Sequence, residues 1–537
     1  MHKKFIRATS LSLAVFLMTL SLGACKKEST ASKKSDNSTK ISTTASKSTA
    51  KKSSTSSAKK DTTTASKTES GSKQSSNTPK NNKGGSSNTP DLGTTTKEEM
   101  EEFLDNTPTP PKEVVQVDQN MDLGGRTIKI VYDSSTSPGD PPTEAELAEN
   151  PKAGVKYNTI KNAMKKMNFN IEWVQVSNDT ILSDYLNATA AGVKFADIIY
   201  SSPKRLFPAL PVKQLLVPID NFIDFENDSL YNSDYFKSGT EFMGRRWGFG
   251  IPYALGYATF YNRDIFGREG LPYLEEVYEQ GNWTWDTLVE YARATTHDSN
   301  GDGTIDQWGL VLGNIQGATE ALMFSNGADF ISYDSGKNTY KFAANEPKAA
   351  RALQLISDMI NSYKIATPDS SGIKFDKFPV AILMGKYVFD GKSYKKINMN
   401  YGVVPLPKGP DVSTAQFVEA NGVSAYFIPV NTDPKVSAAV IREAFTYWDP
   451  SKPEYLTKTD ILYGSTIKAV ATEEDANWVI KHFDSPHVSF IKSFNTLRSK
   501  FSSDIIWPVQ SMQSTPAAVL QAQAGAMQSY IDSDMQK

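Results

Sequence analysis

At 537 residues the chain is longer than one hydrophobic core usually organises, and its 39% hydrophobic content and mean hydropathy of −0.42 mark a soluble body. Its 58 Lys and Arg against 60 Asp and Glu leave a net charge of −2, which excludes nucleic-acid binding by bulk electrostatics. Aromatic residues make up 11%, including 8 Trp and 23 Tyr, a generous supply of flat side chains for binding or for large cores.

The N-terminus reads as a targeting segment. Lys3, Lys4 and Arg7 precede an apolar run over 11–22 that is too short to span a bilayer, which takes about 20 residues. It ends in Leu22-Gly23-Ala24-Cys25, which resembles a bacterial lipobox. Cys25 is the one cysteine in the chain, so it has no partner for an internal disulfide, and lipidation gives it a role. The expectation is therefore a signal peptide over 1–24, a lipid anchor on Cys25, and residence at the extracellular face of the cell membrane. Residues 25–112 follow, built mostly from Ser, Thr, Lys, Ala, Asn and Gly until Pro108, Pro110 and Pro111. Such a composition buries too little apolar surface to offset backbone entropy, so it reads as a disordered tether with positive charge.

The folded body begins near Val114. Residues 126–132 (RTIKIVY) alternate into an apolar run and predict a strand. The segment 158–167 predicts an amphipathic helix, 168–176 a second strand, 184–191 a helix stopped by Gly192, and 196–200 a short buried strand. Strand, helix, strand, helix, strand is the pattern of a mostly parallel α/β sheet, whose ligands sit beyond the carboxyl ends of the strands. Residues 206–216 read as helical around two prolines. The stretch 251–266 (IPYALGYATFYNRDIF) reads as a bent strand turning at Asn262 into a short helix. Its tyrosines at 253, 257 and 261 would also fit half of a buried helix, which Pro252 and Gly256 disfavour. Helices are predicted over 285–295 with Thr284 as N-cap, then over 316–326 and 347–364. A strand, turn and strand follow over 378–390, extended segments at 401–407 and 421–429, a helix over 434–448, and mainly helices over 476–537.

The strongest local motif is 298–306 (DSNGDGTID), the first part of a calcium loop. Asp298, Asn300, Asp302 and Asp306 alternate their oxygens, Thr304 offers its carbonyl, and Gly303 permits the reversal. The closing bidentate Glu is absent, with Gly309 in its place. The loop therefore either holds a structural Ca2+ with help from another segment or is a metal-free turn stabilised by its own side chains. Enzyme signatures are missing. The four histidines are His2, His297, His482 and His487, and no H-E-x-x-H, G-x-S-x-G, Walker loop or zinc spacing occurs. No catalytic residue is assigned, and the chain is expected not to be an enzyme.

Three stretches carry a family resemblance: ADIIYSSPKRLFPALPVKQLLVPID from 196, IPYALGYATFYNRDIF with the later WTWDTLVEYARATT, and NYGVVPLPKGP followed by NGVSAYFIPVNTDPK. Their order and spacing resemble extracellular solute-binding protein family 1, the maltose-binding-protein-like sugar-binding lipoproteins of ABC importers. The resemblance implies an α/β, two-lobed periplasmic-binding-protein-like fold of class II, with a ligand cleft between lobes that close by hinge motion. Lobe 1 would be 114–256 plus 403–456 and lobe 2 would be 257–402 plus 457–537. Crossings would fall near residues 253–261, 402–405 and 455–459. It implies a carbohydrate ligand, ABC permease subunits as partners and a monomeric state. The site residues it implies are Ser201, Ser202, Lys204, Tyr253, Tyr257, Asp390, Tyr394, Asn421, Gly422 and a stacking Trp507. A surface glycan-binding or glycan-active protein outside transport, and an ABC binding protein for a non-sugar ligand such as a peptide, remain alternatives.

Overall fold

The computed structural model describes residues 114–535 except 119, 233–238, 251–255, 369–373, 387–396, 414–417, 420–423, 468, 484–485, 488 and 490–493. The signal segment, Cys25 and the tether lie outside the described residues, as do the expected site residues Tyr253, Asp390, Tyr394, Asn421 and Gly422.

The first lobe grows from strand β1 (Arg126–Tyr132), whose Ile128, Ile130 and Val131 are buried. The helix Val155–Lys166 turns its Ile160 and Ala163 inward and returns the chain to β2 (Phe169–Gln175), which pairs with β1 in parallel. The helix Ile181–Ala190 then leads to β3 (Ile198–Ser201), parallel to β1 on its other side. The long apolar helix expected at 206–216 is two single turns, Pro203–Leu206 and Ala209–Val212. The break falls at Phe207, which is extended because the ring of Pro208 disfavours the α conformation in the residue before it. Short strands β4 (Leu216–Val217), β5 (Glu241–Phe242), β6 (Arg245–Arg246) and β7 (Gly248–Phe249) complete this half.

Strand β8 (Tyr257–Asn262) opens the second sheet. Its backbone is extended throughout the described part, so the helical alternative for the tyrosine repeat is overturned. Asn262 then caps the helix Arg263–Arg268 by accepting from the N–H groups of Asp264 and Ile265. The sheet adds β9 (Trp308–Leu312). After the hairpin of β10 (Ile331–Asp334) and β11 (Thr339–Phe342) it adds β12 (Ala366–Pro368), β13 (Val380–Lys386) and β14 (Tyr401–Val404). Its order is β12-β9-β13-β8-β14, with β12, β9 and β13 parallel and β8 antiparallel to both its neighbours. The turn expected within 378–390 does not fall at Gly385. β13 runs straight through it, because its pairing with β8 continues from Gly385 opposite Ala258 to Lys386 opposite Tyr257. A short pair joins β15 (Val418–Glu419) to residues 486–487, and β16 (Ala425–Pro429) returns to the first sheet, whose order is β2-β1-β3-β16-β4.

Two crossings differ from expectation. The return was expected near 402–405, yet Val403 and Val404 pair with Phe260 and Thr259 inside the second sheet. The chain stays with that lobe through Asp411, whose backbone N–H donates to Asn326, and only β16 brings it back. The return therefore lies between 411 and 425, and 403–411 belong to lobe 2. The last crossing, expected at 455–459, is carried by the helix Lys458–Thr466 itself. Ile461 and Leu462 enter the core of the first lobe, while Ile467, Ala469 and Val470 enter that of the second.

The lobes also meet through a hairpin. β5 and β6 pair with each other and are fastened to the first lobe by Arg245, whose guanidinium grips Asp220 at 2.8 Å with both side chains 5% exposed. At the tip of the hairpin, Phe242 stacks on Tyr340 of β11 with centroids 5.0 Å apart, and the Met243 N–H donates to the Tyr340 hydroxyl at 2.8 Å. Phe207 of the first lobe and Phe494 of the second flank the same ring.

Candidate functional site

The parallel strands of both sheets end on side chains of opposite character to their apolar interiors. In the first lobe β1 runs into Asp133 and β3 ends on Ser201. The Ser201 hydroxyl donates to Asp133 Oδ2 at 2.6 Å, and the Arg205 guanidinium, one helical turn later, donates to the same oxygen at 3.0 Å. Ser201 is fully buried and the Asp133 side chain is 3% exposed, so the serine orients the carboxylate beneath the surface. Ser202 is half-buried, and Lys204 projects to the exterior from the turn Pro203–Leu206.

In the second lobe the corresponding edge carries Lys386, exposed at the end of β13 opposite Tyr257 of β8. It also carries Asn314, which caps the helix Ile315–Ser325. On that helix Glu320, 2% exposed, accepts from Arg498 Nε at 3.2 Å and from the Gln316 amide at 3.3 Å. The Gln316 amide also donates to the Arg498 carbonyl, which fixes the helix Asn495–Phe501 against this edge. Burial, and then Arg205, Arg498 and Lys386, hold the Lys204 ammonium below its usual range.

The candidate site is thus built at the strand ends of the two sheets, with polar groups at each edge and apolar strands behind them. A profile of bacterial extracellular solute-binding proteins matches residues 148–445, more than half of the chain. The chain belongs to that family. Its fold is similar to that of the cyclic α-maltosyl-1,6-maltose binding protein of Arthrobacter globiformis, at 15% identity and TM-score 0.52 over 76% of this chain and 100% of that one. It is likewise similar to a cyclo/maltodextrin-binding protein complexed with maltotetraose, at 17% identity and TM-score 0.51 over 75% and 97%. An ABC substrate-binding protein of Listeria monocytogenes in complex with cycloalternan is similar at 16% identity and TM-score 0.50 over 76% and 99%. The two-lobed α/β architecture is that of these binding proteins.

Within this solute-binding protein the expected residues separate. Ser201, Ser202 and Lys204 lie at the cleft edge. Tyr257 lies beneath it instead of facing it. Its ring is 4% exposed and packs on Gly317, where a Cβ would stand 2.0 Å from the phenol oxygen, and its hydroxyl donates to the Asn314 carbonyl at 3.4 Å. Burial, reinforced by Glu320, raises its pKa well above the ordinary phenol value. No face of the ring is left for a sugar. Trp507 is 58% exposed, and two residues on the Val509 carbonyl accepts from the Asn361 amide. Among the described residues, Asp133, Arg205, Glu320, Lys386 and Arg498 also stand at these strand-end edges and were not singled out from the sequence. The strand-end rule pointed to Asp133, which directly follows β1. Arg498 has no such signal, because a helix far along the chain delivers it.

In the 298–306 loop each side chain already accepts from the backbone. Asp298 takes the N–H groups of Gly301 and Gly303, Asn300 that of Asp302, Asp302 that of Thr304, and Asp306 that of Ser299. The Thr304 N–H in particular holds the Asp302 carboxyl below the usual range. Among the described residues no three His, Cys, Asp or Glu side chains converge as a metal site. A separate cavity of about 300 Å³ on the first lobe, walled by Tyr231, Arg442, Trp448 and Tyr455 among others, shares no residue with the cleft. No described helix is long and apolar enough to cross a membrane.

Proposed function

We propose that this protein captures a carbohydrate in the cleft between its lobes and delivers it to an ABC importer. The observation that carries the reading is membership of the extracellular solute-binding family, on a fold whose two α/β sheets each carry polar side chains at their strand ends. The ligands named for the structural neighbours, maltotetraose and cycloalternan among them, support an oligosaccharide. The reading includes a lipid anchor at Cys25, a monomeric body and binding without turnover. Differential scanning fluorimetry across oligosaccharides should show a rise in Tm with at least one glycan, followed by a calorimetric titration of stoichiometry one. A shift with peptides and none with any glycan would overturn the sugar assignment, and release of reducing ends from a bound glycan would overturn the non-enzyme assignment. For the anchor, Cys25→Ser should move the protein from the membrane to the soluble fraction.

Calcium in the 298–306 loop is a separate proposal, supported by the spacing of its oxygens. The backbone bonds described above use one lone pair of each oxygen, and a carboxylate has about four acceptor sites. A Tm raised by added Ca2+ and lowered by EDTA supports it, whereas melting indifferent to both leaves a self-capped turn.

A further inference from the structure

The first-lobe cavity of about 300 Å³ has room for one small molecule. The end of the helix Pro434–Phe445, the segment that follows it and the turn at 228–231 wall it, together with Lys166. The turn is held in place on both sides. The Asp228 carbonyl accepts from the Tyr231 N–H at 3.0 Å, and the Trp448 indole donates to the Leu230 carbonyl at 3.4 Å. Four of the charged side chains on this wall neutralise one another in pairs: Lys166 with Glu443 at 2.8 Å and Lys452 with Asp449 at 3.1 Å. Arg442 and Asp228 line the same cavity and are not so matched. Arg442 is half-buried, with its guanidinium 5.8 Å from the centroid of the Tyr231 ring and its Nη1 donating to the Phe222 carbonyl at 3.3 Å. Its buried Nε has no hydrogen-bond partner, and among the described residues no carboxylate pairs with the guanidinium. Asp228, also half-buried, accepts from the Leu230 N–H at 3.0 Å through one carboxylate oxygen and pairs with no described cation. Charges drawn out of water are ordinarily paired. Here one cation and one anion share a cavity without meeting, and a molecule with a charge of the opposite sign at each end completes both.

We propose that this cavity is a binding site for a free amino acid, whose carboxylate takes the Arg442 fork and whose ammonium meets Asp228. A simple anion would satisfy Arg442 and be repelled by the Asp228 carboxylate, and a simple cation would meet the reverse. A neutral sugar would leave both charges uncompensated. The Tyr231 hydroxyl is already bonded to Thr446 at 3.2 Å, so that ring carries Arg442 in position while the guanidinium does the recognition.

The test is a set of calorimetric titrations of the folded protein with glycine, L-glutamine and γ-aminobutyrate, and with acetate, ethylammonium and glucose as controls. At least one of the three amino acids should bind with a stoichiometry of one, about tenfold or more tightly than every control. Asp228→Asn should weaken it about tenfold while keeping the Tm, because the Asn amide oxygen can accept from the same Leu230 N–H. Arg442→Gln should weaken it at least as much, and Lys337→Gln on the second lobe should change nothing. If no amino acid binds at millimolar concentration, or if acetate or glucose binds as tightly, the proposal is overturned. An amino acid whose affinity ignores both Asp228→Asn and Arg442→Gln binds elsewhere and overturns it equally. The carbohydrate reading is tested on different probes and stands or falls separately.

Discussion

Asp197 shows how much a single side chain holds together in the first lobe. It is 1% exposed at the start of β3, accepts from the Lys129 N–H at 2.9 Å and the Thr432 hydroxyl at 3.2 Å, and pairs with Lys194 at 2.5 Å and Arg126 at 3.2 Å. Burial pushes its carboxyl upward, but Lys194, the Lys129 N–H and Thr432 together outweigh that and leave its pKa lowered. A carboxyl depressed in the folded state stabilises fully above its unfolded value of about 3.9 and loses that contribution as pH falls through the folded value. Asp197→Asn should therefore lower the Tm at pH 7, and the gap to the parent should close progressively as melting is repeated below about pH 4. A gap that stays constant with pH would mean that the carboxylate charge contributes nothing and only the side-chain geometry matters.

At the scale of elements, the sequence and the structure agree where a single physical rule decides. The strand β1 was legible residue for residue, because its alternation runs into a fully apolar end. So was the cap at Thr284, whose hydroxyl accepts from the Thr287 N–H. Agreement stops where long-range pairing decides. Nothing local to residues 401–404 indicates that they form the edge of the second sheet instead of leading out of it, and nothing local to Gly385 reveals the loop that passes over it. The site followed the same division. Ser201 and Lys204 came with the family resemblance, whereas Glu320 and Arg498 meet only because two helices 178 residues apart in the chain pack together. The hairpin of β5 and β6 offers a test at this scale. Arg245→Ala would strand Asp220 as a buried carboxylate and should destabilise the fold by about 3–5 kcal/mol, read by chemical denaturation. Removing both charges, as Asp220→Leu with Arg245→Met, should restore most of that loss. A double variant as weak as the single one would show that the pair supplies geometry that apolar packing cannot replace.

For the whole molecule, the last crossing and the hairpin work on the same coordinate. The helix Lys458–Thr466 is rooted in one lobe and leads directly into the core of the other, so it is one of the connections a swing of the lobes must strain. The tip of the hairpin stacks Phe242 on Tyr340 across the lobes. Each aromatic side chain removed from water contributes about 1.5–3 kcal/mol. A swing that parts the two rings forfeits that contribution, which biases even the empty receptor toward the shut form. Capture then draws on a minority of open molecules for entry and needs little free energy from the solute to hold the shut form. The solute's apparent affinity is its intrinsic affinity scaled by the fraction of receptors already competent to hold it. Phe242→Ala removes that bias. It should enlarge the radius of gyration of the solute-free protein in X-ray scattering and weaken capture about tenfold without touching a residue of the cleft, since each tenfold corresponds to about 1.4 kcal/mol. An unchanged radius together with unchanged affinity would mean that the rings stay stacked throughout the cycle and that the receptor opens about a different seam.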